Sequence, residues 1–219
     1  MKTPLTAKRI RQHFTYSWWK YALLLALVLL GWNMTFSVTA YRSPADKKVD
    51  VYVYGVGEQD SFDELLNQLH QELLPDMEEV SSVFMVPDET YGSVQLTTYL
   101  YAGEGDLYIL PKDFFQSYSA EGVFIELEND EELMALCEEA GIDLTRGWRR
   151  NSETGERHLY GIPIDNLPGL ANYMSVSSGT CMGVMITGGN LDNTVILMKG
   201  LIRACMASEE ATTTVEEGN

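Results

Sequence analysis

The stretch Val49-Asp50-Val51-Tyr52-Val53-Tyr54, followed by Gly55-Val56-Gly57, sets the expectation for the fold. Its β-branched and aromatic residues are typical of a strand, and the glycines end that strand in a turn. Beyond the turn, apolar residues recur at helical spacing up to Pro75: Phe62, Leu65, Leu66, Leu69 and Leu73. Asp60 or Ser61, with Glu64 completing a capping box, is expected to begin this helix. The pattern predicts a strand–helix unit.

Strands and helices continue to alternate along the chain. Further strands are predicted at residues 80–86, 107–110, 158–162 and 181–186, and a short apolar run, 123–125, lies between them. Helices are predicted around residues 114–118, over 131–140 and over 192–206, the last with Asp192 as its cap. Residues 91–102 fit either a strand or a helix that ends at Gly103. The alternation predicts an α/β fold class, with a single, mostly parallel sheet flanked by helices over residues 49–207.

Charge separates the N-terminal region from the rest of the chain. Residues 1–40 hold basic residues and no acid, and all 32 Asp and Glu follow them. Residues 18–40 are mostly apolar, with Lys20 as their one charge and polar residues in their second half, and about 20 apolar residues cross a bilayer as a helix. The basic excess before this segment predicts a single-pass protein of the cell membrane, with residues 1–17 cytoplasmic and the C-terminal domain extracellular. A signal peptide cleaved after Ala40 is the alternative.

This membrane segment gives the expected domain organisation. A linker is predicted at residues 41–48, the α/β domain at 49–207 and a disordered acidic tail at 208–219. The net charge of −17 repels nucleic acid, so a nucleic-acid partner is excluded. The three cysteines, Cys137, Cys181 and Cys205, form no CxxC pair, and buried free thiols are expected. A Cys137–Cys181 or Cys181–Cys205 bridge remains the alternative, and no zinc-binding pattern occurs.

Four passages, in order along the chain, carry a resemblance to a known family. They are Tyr101-Ala102-Gly103-Glu104-Gly105-Asp106 with the strand after it, residues 114–127, Tyr160-Gly161-Ile162-Pro163-Ile164, and residues 183–203. Together they resemble the extracellular solute-binding proteins of bacterial ABC transporters, which have the type II periplasmic-binding fold. In that family a buried Asp opens a strand after a glycine-rich turn, and a Tyr-Gly-Ile-Pro strand returns to the hinge. The resemblance covers roughly residues 49–207.

The resemblance implies a ligand site at the strand ends. The matching positions are Gly55, Val56 and Gly57 after the first strand, Pro111, Lys112 and Asp113 after the third, and Asp165 and Asn166 after the strand that begins near Tyr160. Open α/β sheets bind ligands beyond the carboxyl ends of their strands, which agrees with this placement. The same residues are also ordinary turn formers. Since only about 20 residues separate Ile164 from the returning strand, the resemblance implies a one-lobed, membrane-anchored derivative.

Two functions follow as alternatives. The first is a solute-binding-like module that presents or senses a small solute, a sugar or a peptide, beside a transporter permease. Six aromatic residues are candidates for stacking on a sugar ring: Tyr52, Tyr54, Tyr99, Tyr101, Tyr108 and Trp148. The second is a degenerate scaffold that docks a membrane or cell-surface protein and binds no small molecule. Arg146, Arg149 and Arg150 form a basic cluster that either grips an acidic group or is merely solvated.

Catalytic and cofactor-binding patterns are absent from the sequence. Ser178-Gly179-Thr180-Cys181 offers nucleophiles but no Gly-x-Ser-x-Gly elbow, and His158 is the only candidate base in the second half of the body. We therefore expect no enzyme activity, no cofactor and no metal.

Overall fold

The computed structural model describes residues 7–41, 43–88 and 90–206. The chain divides into two compact units, Met1–Arg42 and Ser43–Asn219. The first unit is one long helix, α1 (Ala7–Thr39). Within it, Thr15–Thr39 is long and apolar enough to cross a membrane. Its mean hydropathy is 1.8, and none of its most apolar window is buried against the rest of the protein. Part of the predicted cytoplasmic segment 1–17 and all of the predicted tail 208–219 lie outside the described residues.

The second unit is the α/β body. Its strands are β1 (Lys48–Tyr54), β2 (Glu79–Met85), β3 (Leu107–Leu110), β4 (Trp148–Arg150), β5 (Arg157–Leu159), β6 (Ile162–Pro163) and β7 (Cys181–Val184). Its helices are α2 (Gln59–Leu73), α3 (Tyr91–Ala102), α4 (Lys112–Ala120), α5 (Glu131–Glu139) and α6 (Leu191–Met206). Three short 3-10 turns occur at Ala45–Lys47, Leu144–Arg146 and Pro168–Asn172.

Five strands form one sheet in the order β2-β1-β3-β7-β6, and β4 and β5 form a separate hairpin. The β1 strand pairs in parallel with both β2 and β3, whereas β7 is antiparallel to β3 and to β6. Four strands therefore run one way and β7 runs the other way. The predicted α/β class, with a central sheet flanked by helices, is confirmed.

The period-two alternation of β1 explains how the helices cover both faces of the sheet. Val49, Val51 and Val53 point into a core shared with α2, α5 and α6. Tyr52 and Tyr54 point to the other face, into a core shared with α3 and α4. The β1 strand therefore contributes side chains to the hydrophobic cores on both faces of the sheet.

Several predicted element ends differ from the structure. The α2 helix begins at Gln59 with no side-chain cap at Glu58, so the capping box at Ser61 is wrong. Further along α2, Asp63 accepts hydrogen bonds from the backbone N–H and the hydroxyl of Ser82, at 2.9 and 2.6 Å, and fastens α2 to β2. Asp192 lies within the first turn of α6, which starts at Leu191, and therefore does not precede the helix as a cap.

The structure also settles the form of three segments that the sequence left ambiguous or drew as one strand. Tyr91–Ala102 is a helix, and Gly103 ends it with a φ of 71°. The predicted strand 158–162 is divided between β5 and β6, because Tyr160 donates its backbone N–H to Gly147 rather than to the sheet. The 123–125 run makes a single bridge from Phe124 to Met185.

An ionic network joins α5 to α6. The Lys199 ammonium lies 2.9 Å from an Asp130 carboxylate oxygen and 2.8 Å from Glu132, and Arg203 lies 2.7 Å from Glu132. Only 9% of the Lys199 side chain is exposed, against 29% for Asp130 and 62% for Glu132. Asp130 also caps α5 by accepting the Leu133 N–H at 2.9 Å. The last helix is thus fixed to the start of α5.

Candidate functional site

A cavity of about 290 Å³ opens at the carboxyl ends of β1 and β3. These strands are parallel neighbours, with Val53 opposite Ile109, so the turns that follow them lie side by side. The cavity is lined by Val53, Tyr54, Gly55, Val56, Pro87, Ile109, Pro111, Met174, Ser175, Val176, Ser177 and Thr180. Its place agrees with the general rule for ligand sites in open α/β sheets.

The segment 174–180 closes the cavity from the other side. The Ser175 N–H donates to the Val56 carbonyl at 2.8 Å, and Gly57 pairs with Met174 in an antiparallel bridge. On the opposite flank, the Gly55 N–H donates to the carbonyl of Met85 at 3.0 Å. The turn after β1 is therefore held by backbone contacts on both sides, which gives the cavity a fixed wall.

The cavity has an apolar floor and hydroxyl groups at its rim. Val53, Ile109 and Met174 are buried and apolar. The Thr180 hydroxyl donates to the Ser177 carbonyl at 2.8 Å and lies 3.0 Å from the Ser177 hydroxyl. Apolar walls with a few placed polar groups are typical of small-molecule sites.

Asp165 lies beside this rim in a structural role. Its Oδ2 accepts the Gly179 N–H at 3.0 Å and pairs with the Arg146 guanidinium at 2.5 Å. Arg146 also donates to the Ser178 hydroxyl at 3.3 Å. A Cβ on Gly179, which has a φ of 83°, would lie 3.2 Å from the Lys112 Cβ. Asp165 and Lys112 therefore border the same turn but do not line the cavity.

The remaining predicted positions are spread around the site. Gly57 packs close to Phe84 and Tyr173, since a Cβ there would come within 2.4 and 2.7 Å of their atoms. Asp113 and Asn166 are exposed and are not among the lining residues. Of the predicted site residues, Gly55 and Val56 line the cavity, as does Pro111, which lies in one of the predicted turns.

The segment 174–180 contributes lining residues to the cavity but was not predicted from the sequence as part of the site. Ser175, Ser177, Ser178 and Thr180 form a hydroxyl-rich run around Gly179, of which only Ser178 and Thr180 were considered, as candidate nucleophiles. That composition, directly before a predicted strand, was the available signal.

The aromatic candidates do not gather at the cavity, and Tyr101 is exposed. Tyr54 lines the cavity, and burial raises its pKa. Tyr52 packs on Tyr99 and Tyr108, with ring centroids 4.9 and 5.2 Å away, inside the core beside α3. Burial raises the pKa of Tyr52 and of Tyr108 far above the usual range, so both stay neutral. Trp148 lies instead under the Arg157 guanidinium.

The three arginines of the predicted basic cluster do not converge. Arg146 turns to Asp165, Arg149 donates to the Trp148 carbonyl at 3.2 Å, and Arg150 donates to the Gly155 carbonyl at 2.9 Å. They therefore do not form one anion-binding surface.

The three cysteines are free and buried. Burial raises the pKa of Cys137 and Cys205 to about 11 and that of Cys181 to about 12. A thiol acts as a nucleophile only as its thiolate, so these groups are poor candidates for chemistry.

A second group of polar side chains lies at β5, away from the cavity lining. Donor atoms of Glu126, Glu128 and His158 lie within 4.8 Å of one another, the spacing that ligands of one metal ion have. The His158 Nδ1 is 2.6 Å from Glu128. The pKa of Glu128 is lowered, because its hydrogen bonds with His158 and the Leu159 N–H outweigh the opposing effect of burial.

Comparison with known proteins gives partial structural likenesses. No protein-family model matches the chain, and no curated protein matches it. An extracellular solute-binding protein of family 1 from Alicyclobacillus acidocaldarius is similar over 53% of this chain, with 16% identity and a TM-score of 0.38. Maltose-bound T. maritima MalE3 is similar over 53%, with 21% identity and a TM-score of 0.40.

A third similar structure is the N-glycan transport solute-binding protein NgtS from Streptococcus pneumoniae, in complex with Man5GlcNAc. It matches over 53% of this chain, with 15% identity and a TM-score of 0.33. This chain spans 27%, 28% and 24% of the lengths of the three proteins. Each likeness therefore concerns part of a fold.

Proposed function

We propose that this chain is a membrane-anchored, extracytoplasmic solute-binding module that presents or senses a small solute. The observation that carries the proposal is the cavity at the carboxyl ends of β1 and β3. Its volume of about 290 Å³ is near the lower end of ligand pockets, roughly 300–1,000 Å³, and suits one sugar ring or a very short peptide. The apolar floor would bury the ring face, and the Ser177 and Thr180 hydroxyls would bind its polar edge.

Gly55 gives a way to fill the cavity without straining the fold. A Cβ at Gly55 would meet its nearest neighbours, on Val53 and Ser175, at 3.8 and 4.0 Å, which is ordinary contact. Gly55→Leu should therefore leave the body folded and occupy part of the cavity. Ala135→Leu is the matched control, because it adds similar bulk at an exposed position of α5 outside the cavity lining.

The test is calorimetric titration of the full chain in detergent micelles with D-glucose, maltose and the dipeptide Gly-Gly. We expect one of these probes to bind in a one-to-one ratio. Gly55→Leu should weaken that binding by about tenfold or more, which is about 1.4 kcal/mol, and Ala135→Leu should leave it unchanged. Binding that Gly55→Leu does not affect, or a failure of all three probes, would contradict the proposal.

The proposed arrangement places residues 1–17 in the cytoplasm, 18–40 across the membrane, 41–48 as a linker and 49–207 outside. It is supported by the apolar stretch Thr15–Thr39 and by the basic excess before residue 18. A membrane-impermeant maleimide should label Ser43→Cys in intact cells and Thr3→Cys only after permeabilisation. The native thiols are buried, so they add little background. The reverse labelling pattern would refute this topology.

One observation favours the second candidate function, docking of a protein partner. The α3 helix carries no charged residue in a chain with 21% charged residues. It exposes Tyr91, Val94 and Tyr101 by 84%, 62% and 74%, and apolar surface of this kind marks interaction sites. A photo-crosslinker at Val94 of α3 should capture a membrane protein. The same crosslinker at Glu139, an exposed position of α5, is the control and should capture none. Equal capture from both positions would count against this function.

A further inference from the structure

We propose that His158, Glu126 and Glu156 bind a divalent transition-metal ion, with zinc as the best fit, and that Glu128 orients the imidazole. This site is separate from the cavity described above, so the proposal stands whether or not that cavity binds a solute. The four side chains come from β5, from the turn before it and from residues 126–128.

The backbone fixes these groups side by side. The Ile125 N–H donates to the Val184 carbonyl at 2.9 Å, and the Leu127 N–H donates to the Leu159 carbonyl at 2.8 Å. Glu126, between these two anchors, is therefore held against β5, the strand that carries His158. The ring of His158 also meets Tyr160 edge-on, with centroids 5.9 Å apart. Rigid backbone on both sides is what a preformed site needs.

The donor spacing fits a tetrahedral ion. The His158 Nε2 lies 3.4 Å from Glu126 Oε1 and 3.5 Å from Glu156 Oε2. Two donors that each lie about 2.0–2.1 Å from a tetrahedral zinc are about 3.4 Å apart. The pairs of His158 with Glu126 and with Glu156 therefore each have this spacing, and Glu156, which is 73% exposed, would move toward Glu126 to complete the set. Imidazole with carboxylates is a donor set that zinc accepts.

Glu128 supplies the orientation that metal-bound histidines usually have. Its Oε1 lies 2.6 Å from the His158 Nδ1, and its Oε2 accepts the Leu159 N–H at 3.0 Å. The carboxylate is thus fastened to β5 and accepts the Nδ1 proton. A metal ion would then replace the proton at Nε2, which faces Glu126 and Glu156. A histidine that ligates a metal commonly donates its other N–H to a carboxylate in this way.

The charge balance of the cluster also calls for a cation. Three carboxylates surround one imidazole, and among the described residues none of the three pairs with a lysine or arginine. Arg149 lies opposite His158 in the β4–β5 hairpin but directs its guanidinium to the Trp148 carbonyl. A protonated His158 would offset only one of the three negative charges. A divalent cation would offset two.

There is room for the remaining ligands of the ion. Glu126 and Tyr160 line a neighbouring cavity of about 250 Å³, and 73% of the Glu156 side chain is exposed. Water, or a donor group from a ligand in that cavity, would complete the coordination. Three protein ligands with one open position are a common zinc arrangement.

The test titrates the full chain in detergent micelles at neutral pH with zinc chloride alone, against a chromogenic zinc indicator. We expect one ion per chain, with about 100-fold weaker binding in His158→Gln and about tenfold weaker binding in Glu128→Gln. Glu156→Gln should also lose at least about tenfold. Glu153→Gln, an exposed acid in the same turn, is the control and should bind zinc like the wild type. Cobalt in place of zinc should give the intense visible absorption of a tetrahedral site.

Two outcomes would overturn the proposal: no stoichiometric zinc binding, or binding that both His158→Gln and Glu156→Gln leave unchanged, which would place the ion elsewhere. Glu156 is so exposed that Glu156→Gln should fold normally, which circular dichroism would check. The test therefore holds even if His158→Gln misfolds.

Discussion

Replacing Lys199 with methionine tests whether the ionic network at the start of α5 fixes the last helix. Methionine keeps most of the length of the buried stem and removes the charge. Asp130 and Glu132 then lose the ammonium that lies 2.9 and 2.8 Å away. Arg203 still pairs with Glu132, so Asp130 is the group left without a cation.

The free-energy cost of Lys199→Met is expected to lie between two limits. Removing one partner of a fully buried ion pair costs about 3–5 kcal/mol, and an exposed pair contributes about 0–1 kcal/mol. Lys199 is nearly buried, but water reaches Asp130, whose side chain is 29% exposed, and can solvate its carboxylate once the ammonium is gone. We therefore expect a cost of about 2 kcal/mol, which is a roughly 30-fold larger equilibrium constant for local opening of α6.

The buried thiols provide the assay. Cys205 lies on α6 and is 1% exposed, so it reacts with N-ethylmaleimide only when α6 opens. Cys181 lies on β7, is equally buried and serves as the internal control. Alkylation of the full chain under native conditions, read at each cysteine by peptide mass spectrometry, should be about 30-fold faster at Cys205 in Lys199→Met. Cys181 should change much less.

A double-mutant cycle isolates the interaction energy between Lys199 and Asp130. Asp130→Asn keeps a side chain that can cap α5 and removes the charge, so it should cost less in the Lys199→Met background than in the wild type. A Cys205 rate that rises less than about threefold would refute the network as the anchor of α6. Equal acceleration at Cys181 would show instead that the network stabilises the whole body.

Two further predictions concern the same unit. In Gly147→Ala the new Cβ would lie 1.8 Å from the Gly161 carbonyl oxygen, so we expect the unfolding free energy to fall by more than about 3 kcal/mol. Gly141→Ala is the control: its Cβ would meet nothing within 4 Å, so the unfolding free energy should fall by only about 1 kcal/mol, because of the positive φ at this position. Acid should weaken the α5–α6 contact: burial opposes ionisation of Asp130, but hydrogen bonds from Lys199 and the Leu133 N–H outweigh it and lower its pKa. Its stabilising contribution is therefore present above the unfolded pKa of about 4 and lost as pH falls through the folded value. The hydrogen-exchange protection factors of α6, which are normalised to the intrinsic exchange rate at each pH, should therefore fall below about pH 4, and less so in Lys199→Met.

Most of the regular structure could be predicted from local patterns. The residues of β1, β2 and β3 combine β-branched and aromatic side chains between turn formers, and they form strands as predicted. Tyr91–Ala102 remained ambiguous because its Val, Thr and Tyr residues favour a strand. Burial of Leu96 and Leu100, one helical turn apart, and the left-handed Gly103 make it a helix. Gly103 was a local signal for the helix, whereas the burial of Leu96 and Leu100 is a tertiary effect that a local pattern does not contain.

The cavity was predicted only in part. Gly55, Val56 and Pro111 follow strands, so the rule for parallel sheets finds them. The segment 174–180 reaches the cavity through the contact between Ser175 and Val56, which are far apart in the chain. Asp165 was predicted to contact a ligand, and in this structure its carboxylate pairs with Arg146 and accepts the Gly179 N–H. Such long-range pairings have no signature in the spacing of residues.

The position of β7 has a consequence for how the chain reaches its final state. The β3 strand borders β1 on one side and β7 on the other, yet β7 appears only at Cys181–Val184, near the end of the body. As synthesis proceeds from the N-terminus, β1, β2 and β3 can pair early, but the outer edge of β3 keeps its backbone groups unpaired until residue 184 has emerged. An open, apolar strand edge readily recruits other chains. The nascent protein should therefore depend on protection by chaperones until β7 has been synthesised and can pair with β3.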